Sequence, residues 1–279
     1  MFSLCKSQQL IIAHRGYRAC FPENTLCAFI ASLGRCDMIE LDVRLSADGV
    51  AVVFHDELLC RCSDAVVRAS EFDQHSLAVH DWCFGQLSLL DVGSWFLDSD
   101  PFGTIDQGLA ERKKLQASMP QRLPSLRRVL HWAVTNRMPL NIEIKEMGTP
   151  QHNEALVAEV VHDISVTAAE RQVVLSSFNH DILRMCRWLA PHLSTAALQE
   201  REHPPDLILY LQKLGVDAYH PADGIADLDL IPLIRSAGIW VNVFTVNDTA
   251  RQKQLFKAGA TGIFTDYLET NRSADSTFC

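Results

Sequence analysis

Two carboxylates, Glu40 and Asp42, stand one residue apart in the apolar stretch CDMIELDVRL of residues 36–45. Successive side chains of a β-strand point to opposite faces, so these two acids share one face and their apolar neighbours take the other. Adjacent anions on a buried face repel each other unless a positive charge lies close by. A half-exposed edge strand is the alternative, and the remaining polar residues must decide between the two interpretations.

Charged and polar side chains also close other apolar runs of the chain. His14 and Arg15 follow the first run, His55 ends the third, and Glu143 and Lys145 repeat the spacing of two residues. Each short motif by itself is common, and a histidine at a strand end is more often structural than catalytic. The functional interpretation rests on all of these residues closing strands, because the carboxyl ends of parallel strands meet at one edge of a sheet.

Their chemistry fits a phosphate ester bound beside a metal ion. Glu40, Asp42 and Glu143 can share a hard divalent cation through oxygen, and Mg²⁺ or Ca²⁺ is expected, with Mn²⁺ as a further candidate. This cation supplies the positive charge that the paired acids require. Guanidinium, ammonium and a divalent metal are the usual partners of phosphate, so Arg15 and Lys145 are predicted to bind a phosphate group rather than only to neutralise the acids.

The elements that must position these groups alternate between buried strands and amphipathic helices, which predicts a parallel sheet. Helices are predicted at 124–137, 153–164, 180–190 and 230–238. This repetition, over 279 residues, predicts an α/β fold in which one domain forms a TIM-type (β/α)8 barrel. The predicted strands are 9–14, 37–43, 50–55, 139–145, 172–178, 194–198, 216–220, 239–246 and 261–266.

Nine strands exceed the eight places of such a barrel. The second and third are joined only by RLSADG, which is too short for a parallel crossover, and Asp48-Gly49 is a turn signal. We therefore expect an antiparallel hairpin that returns His55 to the level of Asp42. The irregular stretch 57–122 is too long for an ordinary loop and is predicted to be an insertion subdomain over the barrel mouth that shapes the pocket.

Composition and charge argue against several classes of binding partner. A net charge of −9 argues against nucleic acid, and no apolar run reaches the roughly 20 residues that span a bilayer. The N-terminal residues lack the apolar core and cleavage site of a signal peptide. Nine cysteines without a C-x-x-C pair predict reduced thiols and a cytoplasmic location, without a disulfide framework or zinc site. Oligomeric state is not predicted.

The stretch 13–56 carries HRG, PENT, ELDV, a DG hairpin and HD in order, and in this respect it resembles the glycerophosphodiester phosphodiesterase family. Further matching motifs are LLDVGSWF (89–96), LPSL (123–126), NIEIK (141–145), LSSF (175–178), VFTVND (243–248) and GIFTD (262–266). The resemblance extends over almost the whole chain, 1–279. It implies a barrel of the phosphatidylinositol-phospholipase-C-like phosphodiesterase type.

The resemblance also implies a small-molecule substrate, a glycerophosphodiester, hydrolysed to sn-glycerol 3-phosphate and an alcohol with a divalent metal. By this resemblance, each site residue receives a role. Glu40, Asp42 and Glu143 correspond to the metal ligands, His14 and His55 to the acid–base pair, Arg15 and Lys145 to the phosphate contacts, Phe178 and Phe244 to the substrate-binding wall, and Glu23 and Asn24 to structural support, with Arg15 as the expected partner.

Two departures from the family pattern fall at the pocket wall. Phe244 replaces the usual tryptophan, and LLCRCSD (58–64) replaces the usual residues after His55-Asp56. Both put the choice of alcohol in doubt and leave the catalytic set intact. Two alternatives stay open, namely cleavage of lysophospholipids on the same barrel and a non-catalytic module that binds glycerophosphodiesters. A Ser-His-Asp hydrolase is disfavoured because the chain has no G-x-S-x-G motif.

Overall fold

The computed structural model describes residues 9–268. Eight parallel strands form a closed barrel, because β1 pairs with β2 on one side and with the last strand on the other. The TIM-type fold is therefore confirmed. The nine strands of the described residues are β1 Leu10–Ala13, β2 Met38–Leu45, β3 Ala51–Val53, β4 Leu140–Ile144, β5 Val173–Ser177, β6 Ser194–Gln199, β7 Ala218–Pro221, β8 Trp240–Val243 and β9 Gly262–Thr265.

The predicted hairpin is also confirmed. Strand β3 pairs antiparallel to β2, with Val43 opposite Val53, and it takes no place in the parallel barrel. Gly49 turns the chain with a φ of 80°, a conformation that side-chain-bearing residues rarely adopt. The backbone N–H of Phe54 then donates to the carbonyl of Asp42 at 3.0 Å, which brings the segment of His55 back to the barrel end.

Helices connect the strands around the outside of the barrel. Thr149 caps one of them by accepting from the N–H of His152, and Pro150 occupies its first turn, so this helix starts three residues before its predicted position. The helices are α1 Leu26–Ser32, α2 Ala65–Arg68, α3 Phe84–Leu87, α4 Trp95–Ser99, α5 Arg112–Ala117, α6 Leu126–Asn136, α7 Pro150–Val166, α8 His180–Leu189, α9 Leu207–Leu214, α10 Leu230–Ser236 and α11 Thr249–Lys257.

Strand side chains divide between two environments. Ile39, Leu41 and Val43 of β2 belong to the large apolar core between the strands and the helices. The opposite faces point into the barrel, where a separate cluster containing Leu10, Met38 and other apolar residues packs together. Because Glu40 and Asp42 follow Met38 at spacings of two, they lie above this apolar layer, toward the carboxyl end of the barrel.

Residues 57–122 form short helices and turns, including 3-10 turns at Ala69–Phe72 and Val79–Asp81. Leu59, Trp82 and Leu87 of this segment share one apolar cluster with Val52 and Phe54 of the hairpin. The segment therefore has a core in common with the barrel. The assignment of an insertion subdomain within one domain stays a prediction.

None of the described helices has the length and apolarity needed to cross a bilayer. Seven cysteines are free thiols, while Cys5 and Cys279 lie outside the described residues. Residues 1–8, which enter the prediction about the N-terminus, also lie outside them. The compartment stays a prediction.

Candidate active site

Three carboxylates from neighbouring strands meet at the carboxyl end of the barrel. Asp42 of β2 lies opposite Glu143 of β4 in the parallel register, and Glu40 precedes Asp42 on the same face. One oxygen from each of the three lies within 4.8 Å of the others, and all three residues are buried. The structure therefore brings together the three carboxylates that were expected to meet at the strand ends.

Two basic side chains contact Asp42 directly. Lys145 Nζ lies 2.8 Å from Asp42 Oδ1 and also contacts Glu143, and Arg15 Nε lies 3.2 Å from Asp42 Oδ2. Burial opposes the charge of Asp42, but Lys145 and Arg15 hold its pKa well below the usual range. The chain itself thus supplies positive charge beside this acid, in addition to the cation that was expected there.

The negative charge of Glu40 is neutralised less completely than that of Asp42. Its Oε2 accepts the backbone N–H of Arg15 at 2.8 Å, whereas its Oε1 is buried without a hydrogen-bond partner among the described residues. Burial and the neighbouring Asp42 and Glu143 raise the pKa of Glu40 well above its usual range. A buried acceptor of this kind is a free coordination position for a cation.

Each histidine at the barrel end has its own carboxylate partner. His14 Nδ1 lies 2.8 Å from Asp266 Oδ1, and His55 Nδ1 lies 2.6 Å from Asp56 Oδ1. Burial lowers the pKa of His14 even though the hydrogen bond with Asp266 raises it, so the ring is neutral near pH 7. In both pairs the carboxylate fixes one ring nitrogen, which leaves Nε2 for other partners.

Glu23 joins three guanidinium groups at the edge of the site. Its carboxylate accepts from Arg15 at 2.8 Å, from Arg18 at 2.9 Å and from Arg61 at 2.7 Å. Burial opposes its charge, but Arg15 and the other arginines lower the pKa of Glu23 to about 2. The expected contact with Arg15 is present. The backbone N–H of Asn24 also donates to the carbonyl of Arg15 at 3.1 Å, while its side-chain Nδ2 donates to Asp42 Oδ2 at 2.8 Å.

The loop after β1 is shaped by its backbone. Arg15 and Gly16 have φ values of 56° and 80°. A Cβ at Gly16 would lie 2.9 Å from the Cβ of Ala28, so α1 packs directly on this loop. Glycine at this position therefore lets the loop turn closely enough for Arg15 to reach Glu40 and Asp42.

A cavity of about 270 Å³ lies at this end of the barrel. Eight of the eleven predicted site residues line it, whereas Asp42, Glu23 and Asn24 lie behind the lining. The eight are His14, Arg15, Glu40, His55, Glu143, Lys145, Phe178 and Phe244. No lining residue comes from 57–122, which differs from the expectation that this segment shapes the pocket. The segment acts on the site indirectly through Arg61, which forms ion pairs with Asp56 and Glu23.

Several residues of the site were not singled out from the sequence. Asp266 closes β9 inside the quoted motif GIFTD, so the strand-end rule that selected Glu143 could also have selected Asp266. Glu200 follows β6 and lines the cavity in the same way. Arg61 lies in an irregular segment without periodicity, and no pattern in the sequence indicates its partners.

Comparison with known proteins agrees with the geometry. A model of the glycerophosphoryl diester phosphodiesterase family matches residues 14–270. The chain is 31% identical over 273 residues to an uncharacterized Bacillus subtilis protein, YqiK, with 93% of this chain and 95% of that protein covered. It is 30% identical over 265 residues to a glycerophosphodiester phosphodiesterase of Caldanaerobacter subterraneus subsp. tengcongensis, with coverages of 94% and 95%.

A solved structure has the same barrel. An Oleispira antarctica phosphodiesterase in complex with the product sn-glycerol-3-phosphate aligns with a TM-score of 0.79 at 25% sequence identity. The alignment covers 96% of this chain and 95% of that one.

Proposed function

The chain belongs to the glycerophosphoryl diester phosphodiesterase family, and on this premise we propose that it hydrolyses glycerophosphodiesters to sn-glycerol 3-phosphate and an alcohol. One observation carries the proposal. Two histidines, two basic side chains and two of the three clustered carboxylates line a single cavity, as listed above. This is the set of groups that in-line attack on a phosphodiester requires.

The residues fit a divalent cation. Glu40, Asp42 and Glu143 offer three oxygens within 4.8 Å of one another, and the buried Oε1 of Glu40 has no other partner among residues 9–268. Burial and repulsion from Asp42 and Glu143 raise the pKa of Glu40, and a cation held by these oxygens would offset both effects. When bound, it supplies electrostatic stabilisation of the negative charge on phosphate oxygens.

Arg15 and Lys145 bind the phosphate. Their contacts with Asp42 keep both cations at the cavity wall, and burial of Lys145 is offset by Asp42 and Glu143, which raise its pKa. Both side chains therefore stay charged when they meet a substrate anion. Positive groups held in place before the reaction stabilise the charge that develops in the transition state without a reorganisation cost.

His14 and His55 move the protons. One histidine accepts the proton of the attacking hydroxyl as its oxygen bonds to phosphorus, and the other donates a proton to the departing alkoxide as that P–O bond breaks. The attacking hydroxyl belongs either to water or to C2 of the glycerol, and in the second case water then opens a P–O bond of the cyclic phosphate to give glycerol 3-phosphate. Detection of glycerol 1,2-cyclic phosphate during turnover would identify the second route.

The proposal is tested by product release. Purified protein is incubated with glycerophosphocholine and glycerophosphoethanolamine in EDTA, and then with Mg²⁺, Ca²⁺ or Mn²⁺ restored. Metal-dependent release of glycerol 3-phosphate supports the proposal. If folded protein releases none with any metal but binds the diesters in calorimetry, the chain is a non-catalytic binding module and the proposed hydrolysis is wrong.

Exposed apolar side chains favour lysophospholipid cleavage as a second candidate. In the segment 57–122, Val67 is 79% exposed, and Leu58, Val66 and Leu89 are about half exposed. Such side chains suit contact with a lipid aggregate, although none of them lines the cavity. Faster turnover of lysophosphatidylcholine above its critical micelle concentration than below it, exceeding that of glycerophosphocholine, favours this candidate over the water-soluble diester.

A further inference from the structure

The wall of the cavity opposite Arg15 carries a carboxylate that the proposed chemistry does not use. Glu200 follows β6, lines the cavity and is exposed. Among residues 9–268 its carboxylate accepts no hydrogen bond and forms no ion pair, whereas Glu40, Asp42 and Glu143 all contact basic groups or one another. Glu200 is therefore available for a ligand.

Its position in the barrel is set by the strand order. Around the barrel, β6 is four strands away from β1, which is the opposite side of an eight-stranded ring. Arg15 and His14 follow β1, so Glu200 faces them across the cavity. Positive charge that receives a phosphate on one side is thus matched by negative charge on the other.

Two aromatic rings line the same cavity as Glu200, and Phe178 follows β5, the strand next to β6. Phe178 and Phe244 line the cavity, with ring centroids 5.6 Å apart and ring planes at 87°. Phe178 is 42% exposed, so it belongs to the open end of the cavity. Ring faces attract organic cations, and a nearby carboxylate adds to that attraction.

The floor of the cavity suits the glycerol end of the diester better than its alcohol end. Asn141 Oδ1 is a buried acceptor without a hydrogen-bond partner in the described residues, and Asn141 lines the cavity. Acceptors of this kind match the hydroxyl groups of glycerol. The alcohol of the diester then extends along the exposed wall that contains Phe178 and Glu200.

From this arrangement we propose that Glu200, with Phe178 and Phe244, selects glycerophosphodiesters whose alcohol carries a positively charged ammonium group. The inference rests on the proposed function. The substrate is a zwitterion whose phosphate meets Arg15 and Lys145 and whose ammonium group meets Glu200. Diesters of uncharged polyols receive no such contribution from this wall.

The test compares two substrates that differ only in charge. One is glycerophosphocholine, and the other is its carbon isostere, the 3,3-dimethylbutyl ester, in which a tert-butyl group replaces trimethylammonium. An exposed cation–π contact together with an exposed ion pair predicts a ratio of kcat/KM of about tenfold in favour of choline. Glu200→Gln removes the ion pair but keeps the rings, so it should lower the ratio to about threefold, and Glu200→Asp should retain most of it.

Glu202→Gln is the matched control, because Glu202 is exposed in the same loop and does not line the cavity. This variant should keep the wild-type ratio. Phe178→Leu keeps an apolar side chain but removes the ring, so a partial fall of the ratio is expected from it.

The outcomes separate this inference from the proposed function. If the wild type cleaves both esters and Glu200→Gln leaves the ratio unchanged, the assignment of Glu200 is wrong while the reaction stands. An equal loss on both esters also overturns it, since Glu200 would then serve the glycerol end or the fold. If folded wild-type protein cleaves no diester with any metal, the proposed function fails first.

Discussion

His14 Nδ1 and Asp266 Oδ1 lie 2.8 Å apart although 252 positions separate them in the chain. They meet because β1 and β9 are neighbours where the barrel closes, with Ala13 opposite Thr265. Asn247 Nδ2 donates to Asp266 Oδ2 at 2.8 Å, which holds the carboxylate in place. An ionised carboxylate accepts only from a protonated nitrogen, so Nδ1 carries the hydrogen and Nε2 of the neutral ring keeps its lone pair.

Asp266→Asn should lower kcat while the fold is retained. The amide keeps the shape of the carboxylate, but it no longer fixes the tautomer of His14. We expect kcat to fall by about tenfold to a hundredfold, which is less than the loss of a whole acid–base group. Steady-state kinetics with the circular dichroism spectrum as a check on folding will measure it.

Asp81→Asn is the control, because Asp81 is exposed, pairs with the half-buried His80 and does not line the cavity. It should have wild-type kinetics. A rise of KM with unchanged kcat in Asp266→Asn would contradict a role in positioning His14.

His14→Ala and His55→Ala should each lower turnover by about 10²–10⁴-fold, because each removes one proton-transfer group. A substrate with p-nitrophenol as its alcohol separates their roles, since this leaving group needs no proton. The variant that lacks the acid should recover activity on that ester, and the variant that lacks the base should not.

His131→Ala, an exposed change on α6, should leave turnover unchanged on both esters. An active double variant of His14 and His55 would rule out acid–base catalysis by these two residues.

Much of this site can be predicted from the residues that close each strand. In a parallel barrel the side chains after each strand converge whatever the connecting loops do, so His14, Glu40 and Glu143 could be placed together from the sequence. The hairpin followed from Asp48-Gly49 and a linker too short to cross over. These features depend on local geometry and chain length.

The contacts between charged groups could not be predicted in the same way. Arg15 and Lys145 approach Asp42 because burial makes an unpaired carboxylate costly, and that cost depends on packing that the sequence does not display. Arg61 reaches Glu23 across 38 positions from an irregular segment. Its partner is set by the path of that segment over the barrel rather than by any periodic pattern.

Mg²⁺, Ca²⁺ or Mn²⁺ should raise the melting temperature of the wild type, because a ligand that binds only the folded state stabilises it. At about a hundred times the dissociation constant the gain is about 2.7 kcal/mol, or roughly 5–10 °C for a chain of this size. Glu143→Gln removes one of the three clustered carboxylates and should reduce the shift at the same metal concentration. Differential scanning fluorimetry after EDTA treatment measures it without reference to turnover.

Glu154→Gln changes an exposed acid on α7 and should preserve the metal-induced shift. Equal shifts in the wild type and Glu143→Gln would mean that the cluster at the barrel end is not where the cation binds.

The stabilising effect of Glu23 should disappear in acid. Its pKa is about 2 in the folded chain and 4.5 as a reference, a difference worth about 3 kcal/mol at pH 7. Because the folded value is the lower one, this contribution is complete above the reference pKa and is lost as the pH falls from 4.5 toward 2. The free energy of unfolding of Glu23→Gln should therefore lie about 3 kcal/mol below the wild type at neutral pH.

Urea unfolding of both proteins between pH 7 and pH 3.5 provides the measurement. The gap between them should shrink by about 1.4 kcal/mol at pH 3.5, one unit below the reference value. A gap that stays constant over this range would show that the charge of Glu23 is not the source of the stability.

Residues 57–122 should unfold together with the barrel, since Leu87 is fully buried in a cluster that also contains Val52 and Phe54 of the hairpin. Leu87→Ala leaves a cavity in this shared core and should cost about 2–5 kcal/mol. Leu89→Ala is the matched control, because Leu89 is 50% exposed two residues away and its loss should change stability by less than about 0.5 kcal/mol. Hydrogen exchange with peptide resolution distinguishes a shared core from a separately unfolding subdomain. If the core is shared, Leu87→Ala should speed the slow exchange of peptides from residues 57–122 and from β2 and β3 alike. Faster exchange confined to residues 57–122 would show that this segment unfolds separately.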